Sequence, residues 1–151
     1  MRVAKLIASC LGLGYLVPKG GGTITAAIGC LAWFVLQPQR LDNWLLMTGI
    51  GGLFFAGVWS ASVVEKQWGK DHNRVVVDEL LGMWVALFLL PVHWKYLLAS
   101  FLFFRLFDIT KPFFIRRAER LYSGWGVMTD DLIAGLYTNL LLQGAAFYNL
   151  L

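Results

Sequence analysis

The sequence predicts an all-α fold: a polytopic membrane helix bundle with four to five hydrophobic helices, in one domain over residues 1–151. Three observations lead there. Apolar residues make up 58% of the chain and charged residues 15%, with a mean hydropathy of +0.64. A soluble domain is closer to about 45–50% apolar and about 25% charged. The apolar residues also fall into five segments, and the charges gather at one end of those segments.

Met1 to Val17 is mildly apolar and basic, suited to a short helix lying in the membrane interface. Pro18-Lys19-Gly20-Gly21-Gly22-Thr23 reads as a loop with exposed backbone N–H groups. The apolar segments then run from about Ile24 to Leu36, Trp44 to Val64, Val75 to Leu90, Trp94 to Phe107, and Leu132 to Leu151. Only the second and fifth reach the roughly 20 residues that cross about 30 Å of hydrocarbon. The shorter ones borrow flanking polar residues, thin the bilayer, or span incompletely. Pro91 stops the third segment and Pro112 ends the helical extension of the fourth.

A net charge of +4 does not point to nucleic acid, because the basic residues are few and dispersed among apolar runs. Anionic lipid headgroups suit them better. Cys10 and Cys30 have no metal-type spacing and read as small buried hydrophobes. Ile7-Ala8-Ser9-Cys10 has the look of a lipoprotein processing box. Arg2 and Lys5 leave no apolar stretch before it, so cleavage is not expected.

If the five segments alternate as spans, every one of the 13 lysines and arginines except Arg40 and Lys95 lies on one side. The positive-inside rule makes that side cytoplasmic. Of the nine acids, all but Asp42 lie there too, which the rule does not require. Glu65 ends the second segment, Asp78 and Glu79 sit in the first turn of the third, Asp108 ends the fourth, and Asp130 and Asp131 open the fifth. Acids at such depth are tolerated when they pair, face water, or hold a cation.

Asp78-Glu79 alone can be explained as compensation of a helix dipole, worth about 0.3–1 kcal/mol. Thr129 or Asp130 can likewise cap the fifth helix. Two acidic pairs at two helix starts on one face also make an oxygen-ligand site for Mg²⁺ or Mn²⁺, and no His or Cys cluster supports zinc. Arg105, Asp108 and Lys111 are spaced as helical neighbours. They form either a plain ion pair with a snorkelling lysine, or a phosphate-receiving pair with Asp108 completing a metal shell. The Gly20–Thr23 run is either a linker or a cradle for phosphate oxygens. His72 and His93 stand alone in the sequence, and His72 reads as a solvated loop histidine with an acid–base role the second option.

Val77-Asp78-Glu79 with Gly82, Phe104-Arg105-Leu106-Phe107-Asp108 with Lys111-Pro112, and Gly126-Val127-Met128-Thr129-Asp130-Asp131 with Ala134-Gly135 resemble, in order and spacing, the bacterial phosphatidylglycerophosphatase A family. Gly12–Ala27 resembles its N-terminal Pro-Gly-Thr region, and Glu65 and Asp71 fall where that family carries acids. The loop from Pro18 to Thr23 is longer than the family's, and Thr25 stands where a glycine is usual. The resemblance implies a multi-pass bacterial inner-membrane enzyme with its active face cytoplasmic and a phospholipid substrate. It would remove the terminal phosphate of phosphatidylglycerophosphate with Mg²⁺. On that reading Mg²⁺ sits among Glu79, Asp130, Asp131 and Asp78. Arg105, Lys111 and Lys19, with Thr23 in the glycine loop, receive the phosphate. Asp108 or Glu65 orients or deprotonates the nucleophile, and attack by water or by a carboxylate, Asp78 among them, stays open.

The alternative from another class is a small ion-coupled transporter or channel subunit, which would also bury carboxylates. Transport sites lie near the bilayer midplane, whereas these acids cluster at one end. A third possibility, a partner subunit without chemistry, predicts no effect of alanine at Asp131 or Asp78.

Overall fold

The computed structural model describes residues 1–16, 20–36, 40–70, 72–148 and 150. Among them are eight helices and no strand: α1 (Arg2–Ala8), α2 (Leu13–Leu16), α3 (Gly21–Leu36), α4 (Asn43–Trp68), α5 (Val77–Leu87), α6 (Trp94–Thr110), α7 (Ile115–Ala118) and α8 (Gly124–Phe147). All five apolar segments are helical. Helices α3, α4, α5, α6 and α8 alternate in direction, so the start of α3, the end of α4, the start of α5, the end of α6 and the start of α8 meet at one end.

Helix α5 is the axis of the bundle. It touches α3, α4, α6 and α8, and none of its 11 residues is exposed. Its length is about 16 Å at 1.5 Å per residue, too short to cross a bilayer. Ala61, Val64, Val77, Leu81 and Met128 fill the core toward the acidic end, together with Ala4 and Ala8 of α1. Trp33, Met83, Ala86, Phe104 and Ala134 fill the middle. At the far end of α5, Asn139 Nδ2 donates to the carbonyls of Ala86 and Phe88 (3.1 and 2.6 Å), satisfying backbone acceptors that the helix leaves open.

The outer surface is apolar. Leu31, Phe34 and Val35 on α3, Phe55 and Trp59 on α4, Leu98, Leu102 and Ile109 on α6, and Leu140 on α8 are all exposed. Of the described helices, α4 is the one both long and apolar enough to cross a membrane.

Three boundaries differ from the sequence reading. The glycine run is not a loop throughout: Gly20 has φ +86°, and Gly21, Gly22 and Thr23 form the first turn of α3. The fifth helix begins at Gly124 rather than near Leu132, so Asp130 and Asp131 lie two turns inside it and cap nothing. The third is trimmed to Val77–Leu87. The N-terminal segment is a short helix, as expected, and it also packs against the bundle. Val76 N–H donates to the Ala8 carbonyl (2.9 Å), and α1 packs on α4. Helix starts near glycine are poorly marked because glycine's low helix propensity, about 1 kcal/mol below alanine, is overridden by tertiary packing.

Both histidines serve as local caps. His93 Nδ1 accepts from Lys95 N–H at the start of α6, and His72 Nδ1 accepts from Arg74 N–H.

Candidate active site

The carboxylates converge because α5 and α8 cross almost backbone to backbone. A Cβ at Gly82 would press into the Phe104 ring and lie 2.8 Å from the Asp131 carbonyl oxygen; one at Gly135 would lie 3.1 Å from the Gly82 carbonyl carbon. Glycine at both positions removes the side chains that would hold the helices apart. The first turn of α5 then faces the second turn of α8. Gly22, in the first turn of α3, leaves the space that the Glu79 carboxylate fills.

One carboxylate oxygen from each of Asp78, Glu79 and Asp131 lies within 4.8 Å of the others. Asp78 and Asp131 are buried, at 8% and 3% exposure. Asp78 meets Glu79 side chain to side chain, and Asp131 meets Asp108 in the same way. Asp78 Oδ1, Glu79 Oε2 and Asp131 Oδ2 are buried with no hydrogen-bond partner among the described residues. Buried anions without partners are costly, and several sharing one spot more so. A divalent cation removes that cost. Hard oxygen donors at this spacing fit Mg²⁺ or Mn²⁺. The helix-dipole explanation accounts for Asp78 and Glu79 at the start of α5. It does not account for Asp131, since α8 has no acid in its first turn.

The remaining candidates fall around this trio. Arg105 Nη1 donates to Asp108 Oδ2 at 2.5 Å, both side chains 17% exposed, while Arg105 Nε is buried without a partner. An anion next to a helix C-terminus is unfavourable, and the Arg105 pair offsets this for Asp108. Lys111, the left-handed residue that ends α6, donates to Asp130 Oδ2 (2.7 Å) and Glu119 Oε1 (2.9 Å). Burial works against its charge, but its hydrogen bonds to Asp130 and Glu119 outweigh it and hold the ammonium above the ordinary lysine range. Asp130 Oδ1 accepts from Asp131 N–H, so Asp130 faces Lys111 and stands outside the trio. Glu65 accepts from the Ser123 hydroxyl, tying the end of α4 to the start of α8. Thr23 is exposed on α3. Lys19 and Asp71 lie outside the described residues.

Sequence reasoning missed Glu119 as the second partner of Lys111, the Ser123 tie to Glu65, and the packing roles of Gly22, Gly82 and Gly135. The glycines did carry a signal: they stand near the acids on helices that otherwise have apolar neighbours.

Relatives of this chain place it among the phosphoric monoester hydrolases. It matches the family model of Phosphatidylglycerophosphatase A over residues 6–146 and belongs to that family. A Bacteroides thetaiotaomicron protein provisionally described as a phosphatidylinositol-3-phosphatase is 38% identical over 145 residues, covering 93% of this chain and 91% of the relative. The Phosphatidylglycerophosphatase A of Escherichia coli is 35% identical over 130 residues, covering 83% of this chain and 72% of the relative. That of Haemophilus influenzae is 31% identical over 148 residues, covering 96% and 90%. No solved structure matches the chain. An enzyme family decides against the transporter and the chemically inert subunit.

Proposed function

We propose that this chain is a Mg²⁺-dependent lipid phosphatase. It hydrolyses the terminal phosphomonoester of phosphatidylglycerophosphate to phosphatidylglycerol and phosphate, at the cytoplasmic face of a bacterial inner membrane. The observation that carries the reading is the trio of Asp78, Glu79 and Asp131, each with an unpartnered buried oxygen, beside a guanidinium with an unpartnered N–H. Family membership supplies the substrate class.

Asp78, Glu79 and Asp131 would hold the cation. When bound, it neutralises phosphate charge and acidifies coordinated water. Arg105 keeps Nη1 on Asp108 and directs its free Nε–H toward a phosphate oxygen, stabilising charge that grows in the transition state. Asp108, at the trio's edge, is placed to orient or deprotonate the attacking nucleophile. Lys111, Asp130 and Glu119 form a braced ion triad that fixes the α6–α7 turn against α8. Glu65 joins α4 to α8 through Ser123 and acts structurally on this reading.

The apolar outer faces of α3, α4, α6 and α8, packed around α5, support membrane residence. Spanning elements that enclose a short core helix account for a bundle in which, among the described residues, one helix has the length and composition of a conventional span. The lysine and arginine distribution supports a cytoplasmic position for the carboxylate end.

One observation favours a second substrate, a phosphoinositide: the relative at 38% identity carries a phosphatidylinositol-3-phosphatase description. The test is release of inorganic phosphate by purified protein in mixed micelles, from phosphatidylglycerophosphate and from phosphatidylinositol 3-phosphate in parallel, with Mg²⁺ or with a chelator. Faster Mg²⁺-dependent release from the first lipid is expected. A preference for the second reassigns the substrate, and no metal-dependent release from either removes the reading.

A further inference from the structure

A cavity of about 460 Å³ opens beside Asp130, lined by Lys70, Arg116, Glu119, Arg120, Val127 and Asp130. Its two acids are already engaged, both by Lys111. Its three cations make no ion pair among the described residues. Counting Lys111, four positive groups face two negative ones, and the balance is an anion site. Arg116 belongs to α7 and Arg120 follows it by one turn, so both reach the same opening. The cavity is linked to the carboxylate trio through α6: Lys111, bonded to its wall residues Asp130 and Glu119, follows by one turn Asp108, which meets Asp131 side chain to side chain.

The two lipids weighed above share a chemistry. Each has a phosphomonoester that leaves and a phosphodiester that stays. A centre built of carboxylates attracts the first through its cation but repels the second, which needs a positive surface a short distance away. We propose that Arg116 and Arg120, with Lys70, bind the retained phosphodiester of the lipid substrate in this cavity, fixing the headgroup so that its phosphomonoester reaches the trio. The inference rests on the phosphatase reading. Arginine forks suit a phosphodiester's paired oxygens, and contacts remote from the reacting bond act through substrate binding.

The experiment compares wild type with Arg116→Gln/Arg120→Gln and Arg116→Ala/Arg120→Ala in neutral-detergent micelles. It measures phosphate release from phosphatidylglycerophosphate. It also measures inhibition by glycerophosphoglycerol, which has the diester alone, and by inorganic phosphate. Expected are a KM raised about tenfold or more with kcat within about twofold, a matching loss of inhibition by glycerophosphoglycerol, and unchanged inhibition by inorganic phosphate. An unchanged KM overturns the inference, as does a wild type indifferent to glycerophosphoglycerol. Loss of inhibition by inorganic phosphate alone assigns the cavity to a free anion and overturns it too. A wild type that releases no phosphate sinks the phosphatase reading itself, an outcome distinct from all of these.

Discussion

At the scale of single residues, the protein holds three carboxylates in an arrangement that only a cation or a proton can relieve. Replacing Asp131 by Asn keeps the volume and removes one charge. Phosphate release should fall about 100-fold or more, the scale for losing one charge-stabilising group. Without Mg²⁺ the variant's melting temperature should equal or exceed that of wild type, because like-charge repulsion is relieved. Wild type should gain about 2.7 kcal/mol at Mg²⁺ one hundredfold above its Kd, and the variant much less. Calorimetry with and without Mg²⁺ checks both. Cys10 gives an independent prediction. Burial, with Glu79 nearby, pushes its thiol up to about 12, and Sγ–H donates to the Val76 carbonyl. A raised value leaves little thiolate at pH 8, so iodoacetamide should modify Cys10 only after denaturation; labelling in the native state, read by mass spectrometry, would contradict the packing of α1. Asp78, Glu79 and Asp131 were legible as two acidic pairs. The separation of Asp130 from Asp131 was not, because neighbours on a helix point about 100° apart, and the partner that claims Asp130 lies 19 residues away.

At the scale of helices, existence was easier to read than extent. All five apolar segments are helices. The start of α8 was misjudged because Gly124, Trp125 and Gly126 break the apolar pattern while packing tightly: a Cβ at Gly126 would lie 2.8 Å from the Glu119 and Leu121 carbonyl oxygens. The α5–α8 crossing sets the site, and it can be tested without touching an acid. Gly82→Ala should destabilise the fold by roughly 1–3 kcal/mol through overpacking against Phe104 and lower activity by moving Asp131 away from Asp78. Asn139→Leu should cost about 1–3 kcal/mol by taking the side-chain donor from the Ala86 carbonyl, while Gln143 still reaches that of Phe88. Denaturation midpoints measured in the same detergent check both. If the two substitutions prove neutral, α5 is not held as described.

At the scale of the whole molecule, the apolar exterior and the polar end imply retention in the bilayer. The protein should stay in the membrane pellet after alkaline carbonate washing, and release into the supernatant would contradict the proposed spanning arrangement. The one-sided charge pattern was visible in the sequence because it needs only alternation. What joins the helix ends into one site was not, since it depends on contacts between segments far apart in the chain.

None of the 11 residues of α5 is exposed, and only Glu79, Leu80 and Trp84 are half-buried. The two acids at its head therefore ride on an element largely screened by its neighbours. In a bilayer, changes in acyl-chain length or fluidity would reach them chiefly by shifting the four helices around it, and the Asn139 amide anchors the opposite end. The reactive groups are in effect mounted on an inner post, insulated from the solvent that the outer wall must accommodate.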